Sequence, residues 1–126
     1  MRILLFALSL MILGSACTKK AAFPMDREWM LSIMNGKKMS GDNAFNLKFD
    51  EASKGYSGKA CNTYRGSYQM DKSKLTLGTA AATKMMCPNM AMETEYFTTL
   101  ASVDGYKYSG TNLVLTAGGK DVLLYK

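Results

Sequence analysis

Three cysteines, Cys17, Cys61 and Cys87, are the most reactive side chains in this chain, and no histidine accompanies them. Without an imidazole there is no serine–histidine or cysteine–histidine triad, and the commonest general base is missing. Zinc or iron sites that need a histidine ligand are excluded as well. Met85, Met86, Met90 and Met92 crowd around Cys87, and nine of the eleven methionines lie beyond residue 16. Thioethers and a thiolate are soft ligands that select Cu(I), so copper binding is one reading of this cluster. Methionine is equally a filler of irregular core gaps, which is the plainer reading. Glu93 and Glu95 stand two apart, and residues two apart on a helix do not face each other, so they form no acid–base pair. No Ser-x-x-Lys, Gly-x-Ser-x-Gly or phosphate-cradling Gly-x-x-x-x-Gly-Lys pattern occurs. The expectation is therefore a protein that is not an enzyme, with no catalytic residue, no cofactor and no assigned metal.

The chemistry of Cys17 is a matter of address. Residues 1–16, MRILLFALSLMILGSA, place one positive charge before an apolar stretch and small residues after it. That is the layout of a signal peptide, and its apolar stretch falls short of the about 20 residues of a membrane span. Leu13-Gly14-Ser15-Ala16-Cys17 resembles a bacterial lipobox, with Leu13 four residues before the cysteine rather than three. A lipid on Cys17 would anchor the chain to a membrane through its buried methylenes. An ordinary signal peptidase cutting the same bond is the alternative. Thr18, in place of an aspartate, resembles the sorting signal for the outer membrane. Residues 17–23 read as the lipidated N-terminus and a linker, and 24–126 as one domain.

Cleavage after Ala16 leaves 110 residues and removes only Arg2, so the net charge falls from +6 to +5. The remaining lysines are scattered, with no basic stripe or aromatic interleaving of the kind nucleic-acid binders carry. No nucleic-acid partner is expected, and the domain reads as a monomer. With Cys17 assigned to the lipid, Cys61 and Cys87 form an even pair in an oxidising compartment. A disulfide between them would close a loop worth about 3 kcal/mol of unfolded-state entropy. Two buried free thiols are the alternative.

The elements that must position these residues are mostly strands. Trp29, Leu31 and Ile33 alternate with Met30, Ser32 and Met34, and Asn35-Gly36 supplies a turn. Phe45, Leu47 and Phe49 alternate again, and Gly66, Tyr68 and Met70 lead through a turn to Leu75 and Leu77. Met92, Tyr96, Phe97, Leu100 and Ala101 recur instead at helical spacing, which predicts a helix over about 89–101 with Asn89 as N-cap and Glu93 and Glu95 favoured by its dipole. Tyr106 with Tyr108, Leu113 with Leu115, and Val122 with Leu124 resume the strand period. About eight short strands with tight turns predict a small antiparallel sheet curled towards a barrel, with one helix.

Trp29-x-Leu31 with Gly36, Gly58-x-x-Cys61-Asn62-x-Tyr64-x-Gly66-x-Tyr68, and Ala82-Thr83-Lys84-Met85-Met86-Cys87 together resemble the META domain of the HslJ-like proteins. Glu93, Phe97 and Leu100, then Tyr106, Gly110, Leu113 and Leu115, continue the resemblance to the end of the chain. It implies a small β-barrel-like fold with one helix, no established activity, and Met85 at a core position. It further implies a bacterial envelope lipoprotein, on the periplasmic or surface face of the outer membrane, linked to stress tolerance. The motif glycines are expected to serve turns and close backbone approach, and Asn62 to cap a turn. A small-ligand or copper-binding barrel, or an inhibitor of a secreted lysozyme or protease, are the alternatives. An open apolar interior would favour the first of these and a filled interior with an exposed loop the second.

Overall fold

The structure is a computed structural model that describes residues 23, 25 and 27–126. The expected signal peptide, Cys17 and its lipid lie outside the described residues. Ten strands run in chain order: Trp29–Met34 (β1), Lys37–Lys38 (β2), Asn46–Asp50 (β3), Gly55–Lys59 (β4), Thr63–Asp71 (β5), Lys74–Leu77 (β6), Ala81–Ala82 (β7), Gly105–Tyr108 (β8), Leu113–Ala117 (β9) and Lys120–Tyr125 (β10). One helix, Met90–Ser102 (α1), separates β7 from β8. The strands pair antiparallel in the order β10-β9-β8-β6-β5-β4-β3-β1, and β1 pairs with β10 to close an eight-stranded barrel. β2 attaches to β1 and β7 to β5 outside the closed circuit. Closure removes the open edges that a sheet of this size would otherwise expose.

Alternation sends Leu47 and Phe49 of β3, Tyr64 and Tyr68 of β5, Leu75 and Leu77 of β6, and Leu113 and Leu115 of β9 into the interior. Two strands depart from strict alternation. In β1 the pairing with β10 slips between Leu31 and Ile33, and beyond the slip Met34 rather than Ile33 is buried. In β10 the pairing with β9 slips between Asp121 and Leu123, so Leu123 and Tyr125 face inward in place of Val122 and Leu124. An extra residue in one strand inverts the faces that follow it, which a period-2 reading cannot anticipate. Asn35 and Gly36, with φ of 48° and 80°, make the tight turn from β1 to β2 that this dipeptide predicts.

Both ends of the barrel are covered. At one end α1 lies beyond the β4–β5 turn, and its Tyr96, fully buried, enters between Phe45, Tyr64 and Tyr125. At the other end Phe23 packs edge-on against Phe49, Tyr106 and Tyr108, with centroids 5.3 to 5.8 Å apart. Trp29 is fully buried beside Tyr108, with the Arg27 guanidinium 4.2 Å above its ring. The interior is thus filled by aromatic and leucine side chains. Among the described residues no helix is long and apolar enough to cross a membrane.

Candidate functional site: a loop held by a disulfide and a buried Asn–Glu pair

Of the residues singled out by sequence, Cys61, Asn62, Thr83, Met85 and Cys87 meet at the segment between β7 and α1. Cys61 follows β4 and Cys87 precedes α1, and the two form a disulfide with Cα atoms 6.2 Å apart. Next to it Asn62, with 1% of its surface exposed, satisfies nearly its whole hydrogen-bonding capacity. Its backbone N–H donates to Glu93 Oε2 at 2.6 Å and its Nδ2 to Glu93 Oε1 at 2.7 Å. Its Oδ1 accepts from the Met85 N–H at 2.6 Å and from Thr83 Oγ1 at 3.0 Å, and Nδ2 also reaches the Met85 carbonyl at 3.4 Å. Thr83 is tied further to β5, accepting from the Thr63 N–H through Oγ1 and donating its own N–H to the Thr63 carbonyl. A buried carboxylate is costly unless its lone pairs are used, and the two Asn62 donors use them.

Glu93 stands in the first turn of α1, as expected, and is in addition a buried hydrogen-bond acceptor. Two expectations are revised. Asn89 makes no side-chain cap to α1; its Nδ2 donates to Asn43 Oδ1 instead. Met85 is not a core residue: 57% of its surface is exposed, and its backbone, not its thioether, is what Asn62 holds. Met86, 91% exposed, projects further still. On α1 the buried positions are Glu93, Tyr96, Thr99 and Leu100, while Ala101 faces solvent.

The motif glycines serve the barrel wall. Gly66 pairs with Tyr56 across β4–β5, and a Cβ on Gly66 would fall 2.5 to 2.7 Å from the Tyr56 ring. Gly58 pairs with Tyr64, and a Cβ there would collide with the Tyr64 hydroxyl and the Asn46 carbonyl. Each glycine thereby lets the opposite tyrosine lie flat across the strand and reach a half-buried carbonyl. Tyr56 donates to Gly78 O and Tyr64 to Asn46 O, both at 2.5 Å.

Tyr64 begins a relay whose direction is fixed. A carbonyl only accepts, so Tyr64 gives its proton to Asn46 O; Tyr96 must then donate to Tyr64 (2.7 Å) and Tyr125 to Tyr96 (2.9 Å). Burial, which penalises the phenolate, pushes all three well above the ordinary tyrosine value of 10.0. Tyr68 packs edge-on to Phe49 and directs its hydroxyl to Met25 Sδ. The tyrosines are therefore neutral struts of the core.

The order of motifs, the closed barrel and the single helix agree with a family model, the META domain, over residues 21–126. The chain belongs to the META domain family. An NMR structure, 27% identical, superposes with a TM-score of 0.65 over 81% of this META domain chain and 89% of its own. A second, from Burkholderia xenovorans, is 26% identical with a TM-score of 0.64, covering 81% and 82% of the two chains. A DUF4847 family crystal structure from Bacteroides vulgatus, 24% identical over 64% of this chain and 56% of its own (TM-score 0.51), shares the fold. No curated protein matches.

Within the META domain the residues that sequence reading missed are Glu93 as partner of Asn62 and Tyr96 and Tyr125 as partners of Tyr64. The one available signal was Glu93 falling on the same helical face as Tyr96 and Leu100, a carboxylate in an otherwise core-facing row.

Proposed function

We propose that this META domain is a non-enzymatic lipoprotein of the bacterial envelope, anchored through Cys17 and contributing to stress tolerance by binding a partner on its outer surface. The observation that carries this reading is the barrel itself. Its interior is filled, α1 covers one end and Phe23 packs into the other, so contacts with a partner fall to the exterior. The same packing argues against an apolar ligand held inside, and the Cys61–Cys87 bond removes the thiolate a Cu(I) site would draw on. The hollows of 450 to 620 Å³, lined by Ser57, Arg65 and Tyr68 on one side and by Asn43, Lys59 and Cys87 on another, open outward.

The test is expression of the full chain in a Gram-negative host with labelled palmitate, followed by fractionation. Wild type is expected to take up label and sediment with outer membranes, and Cys17→Ser to be unlabelled and soluble. A wild-type chain that is exported but unlabelled overturns the anchor. Loss of the gene is expected to sensitise the parent organism to envelope stress, restored by wild type; unchanged tolerance overturns the role.

A second reading, inhibition of a secreted enzyme, is favoured by one feature: an exposed apolar loop, Met85-Met86, on a backbone held at both ends. Exposed large apolar side chains on a rigid support mark interaction sites.

A further inference from the structure

Among the described residues only Met30, Met85 and Met86 are exposed large apolar side chains, and two of the three are adjacent on this loop. The backbone that carries them is an edge with an alternating pattern. Thr83 N–H bonds to Thr63 O, and Met85 uses both N–H and C=O on the Asn62 side chain. Lys84 and Met86, the residues between and after, make no backbone hydrogen bond among the described residues. In extended chain, successive residues turn their N–H and C=O groups to opposite sides. The odd positions therefore face the barrel, and Lys84 and Met86 offer their backbone groups outward. β7, which leads into the loop, pairs on one side only, with β5. β7 is thus an edge strand, of the kind that extended partners join by β-addition, and the bonds of Thr83 and Met85 carry its alternation past Ala82 into the loop.

We propose that Thr83–Met86 enters the cleft of a secreted endopeptidase as an extended, substrate-like strand, with Met86 filling an apolar primary pocket. The inference rests on the inhibitor reading and names its partner class. Met86 is the residue for the pocket because its side chain is 91% exposed and its backbone groups are free. Peptidase clefts bind substrates by backbone pairing along one edge, and the outward groups of Lys84 and Met86 meet that demand while Asn62, itself bonded to Glu93, holds Thr83 and Met85. The cost of ordering the loop is met in the free protein, which is how a preorganised loop gains affinity. Cleavage, where it occurs, adds water across the Met86–Cys87 amide and leaves a carboxyl on Met86 and an amine on Cys87. The two ends remain joined through the Cys61–Cys87 disulfide, so the new amine stays beside the acyl group it left.

The test uses the mature chain with Cys17→Ser, disulfide intact, against purified chymotrypsin-type and subtilisin-type endopeptidases that cleave after large apolar residues. Wild type is expected to inhibit at micromolar concentration or better, with at most slow cleavage at Met86–Cys87. Met86→Asp is expected to weaken inhibition by about thirtyfold or more, the scale of a buried interface anchor. Met86→Phe is expected to preserve it, and Met30→Asp, on the barrel wall, to leave it unchanged. Inhibition that survives Met86→Asp overturns this loop while sparing the inhibitor reading. Rapid cleavage, or no inhibition by wild type, overturns the endopeptidase proposal, and neither result bears on the Cys17 anchor.

Discussion

Replacing Asn62 with alanine removes the group that joins α1, the β4–β5 turn and the exposed loop. Three consequences can be sized. The charge-assisted bond from Nδ2 to Glu93 Oε1, 2.7 Å long and buried, is worth about 1.5–3 kcal/mol. The bonds accepted by Oδ1 from Met85 N–H and Thr83 Oγ1 are partly buried, and their donors recover water, so together they add about 1 kcal/mol. The backbone bond from Asn62 N–H to Glu93 Oε2 survives, so the carboxylate is not fully stranded. The expected loss is about 2.5–4 kcal/mol, or a fall in Tm of about 10–16 °C for a domain of this length. Urea unfolding followed by far-ultraviolet circular dichroism, disulfide intact, measures it, with an unchanged m value showing that two-state unfolding is kept. Glu93→Gln is the companion variant. It keeps the shape but presents an amide N–H to one of two N–H donors, and a loss of about 2–3 kcal/mol is expected. If both variants lose less than about 1 kcal/mol, the buried pair is not what holds the loop, and the reasoning fails.

The relay of tyrosines makes a directional prediction: Tyr125→Phe removes only the terminal donor and should cost about 0.5–1.5 kcal/mol, whereas Tyr96→Phe strands the Tyr125 proton and should cost about 1–3 kcal/mol by the same urea assay. Because Tyr64, Tyr96 and Tyr125 are raised by burial, their contribution to stability is complete below the unfolded value of 10.0 and is lost as pH rises beyond it. An ultraviolet titration should show these phenolates forming only together with loss of the folded circular dichroism signal. Gly66→Ala should destabilise by about 1–3 kcal/mol, since the Tyr56 ring it strikes is held by its bond to Gly78 O and cannot swing away; a stability equal to wild type would refute the packing role.

Most of the barrel was legible because its signals are local. Phe45, Leu47 and Phe49 alternate, Asn35-Gly36 turns, and Tyr96 and Leu100 share a helical face, each read within a few residues. What was not legible came from partners distant in sequence. Glu93 sits 31 residues from Asn62, and no local rule distinguishes a carboxylate at a helix start from one turned inward to two amide donors. Asn89 is the N-cap of α1, but its side chain is drawn to Asn43 by the same kind of long-range competition. The faces of β1 and β10 were misread downstream of Leu31 and Asp121 because each pairing slips there, a property of the strand pair and not of either strand. Met85 is the instructive case for the site: family position marked it, yet what that position requires is its main chain.

Phe23 has a consequence for orientation. It enters the mouth lined by Phe49, Tyr106 and Tyr108, whereas Asn62 and the Met85–Met86 loop lie beyond the opposite end of β4, past the strand position where Tyr56 pairs with Phe49. From Cys17 to Phe23 is six peptide steps, which reach at most about 20 Å. With a lipid at Cys17, the barrel stands close against the bilayer on its Phe23 end. The two methionines then lie at the end of the barrel away from the anchored one.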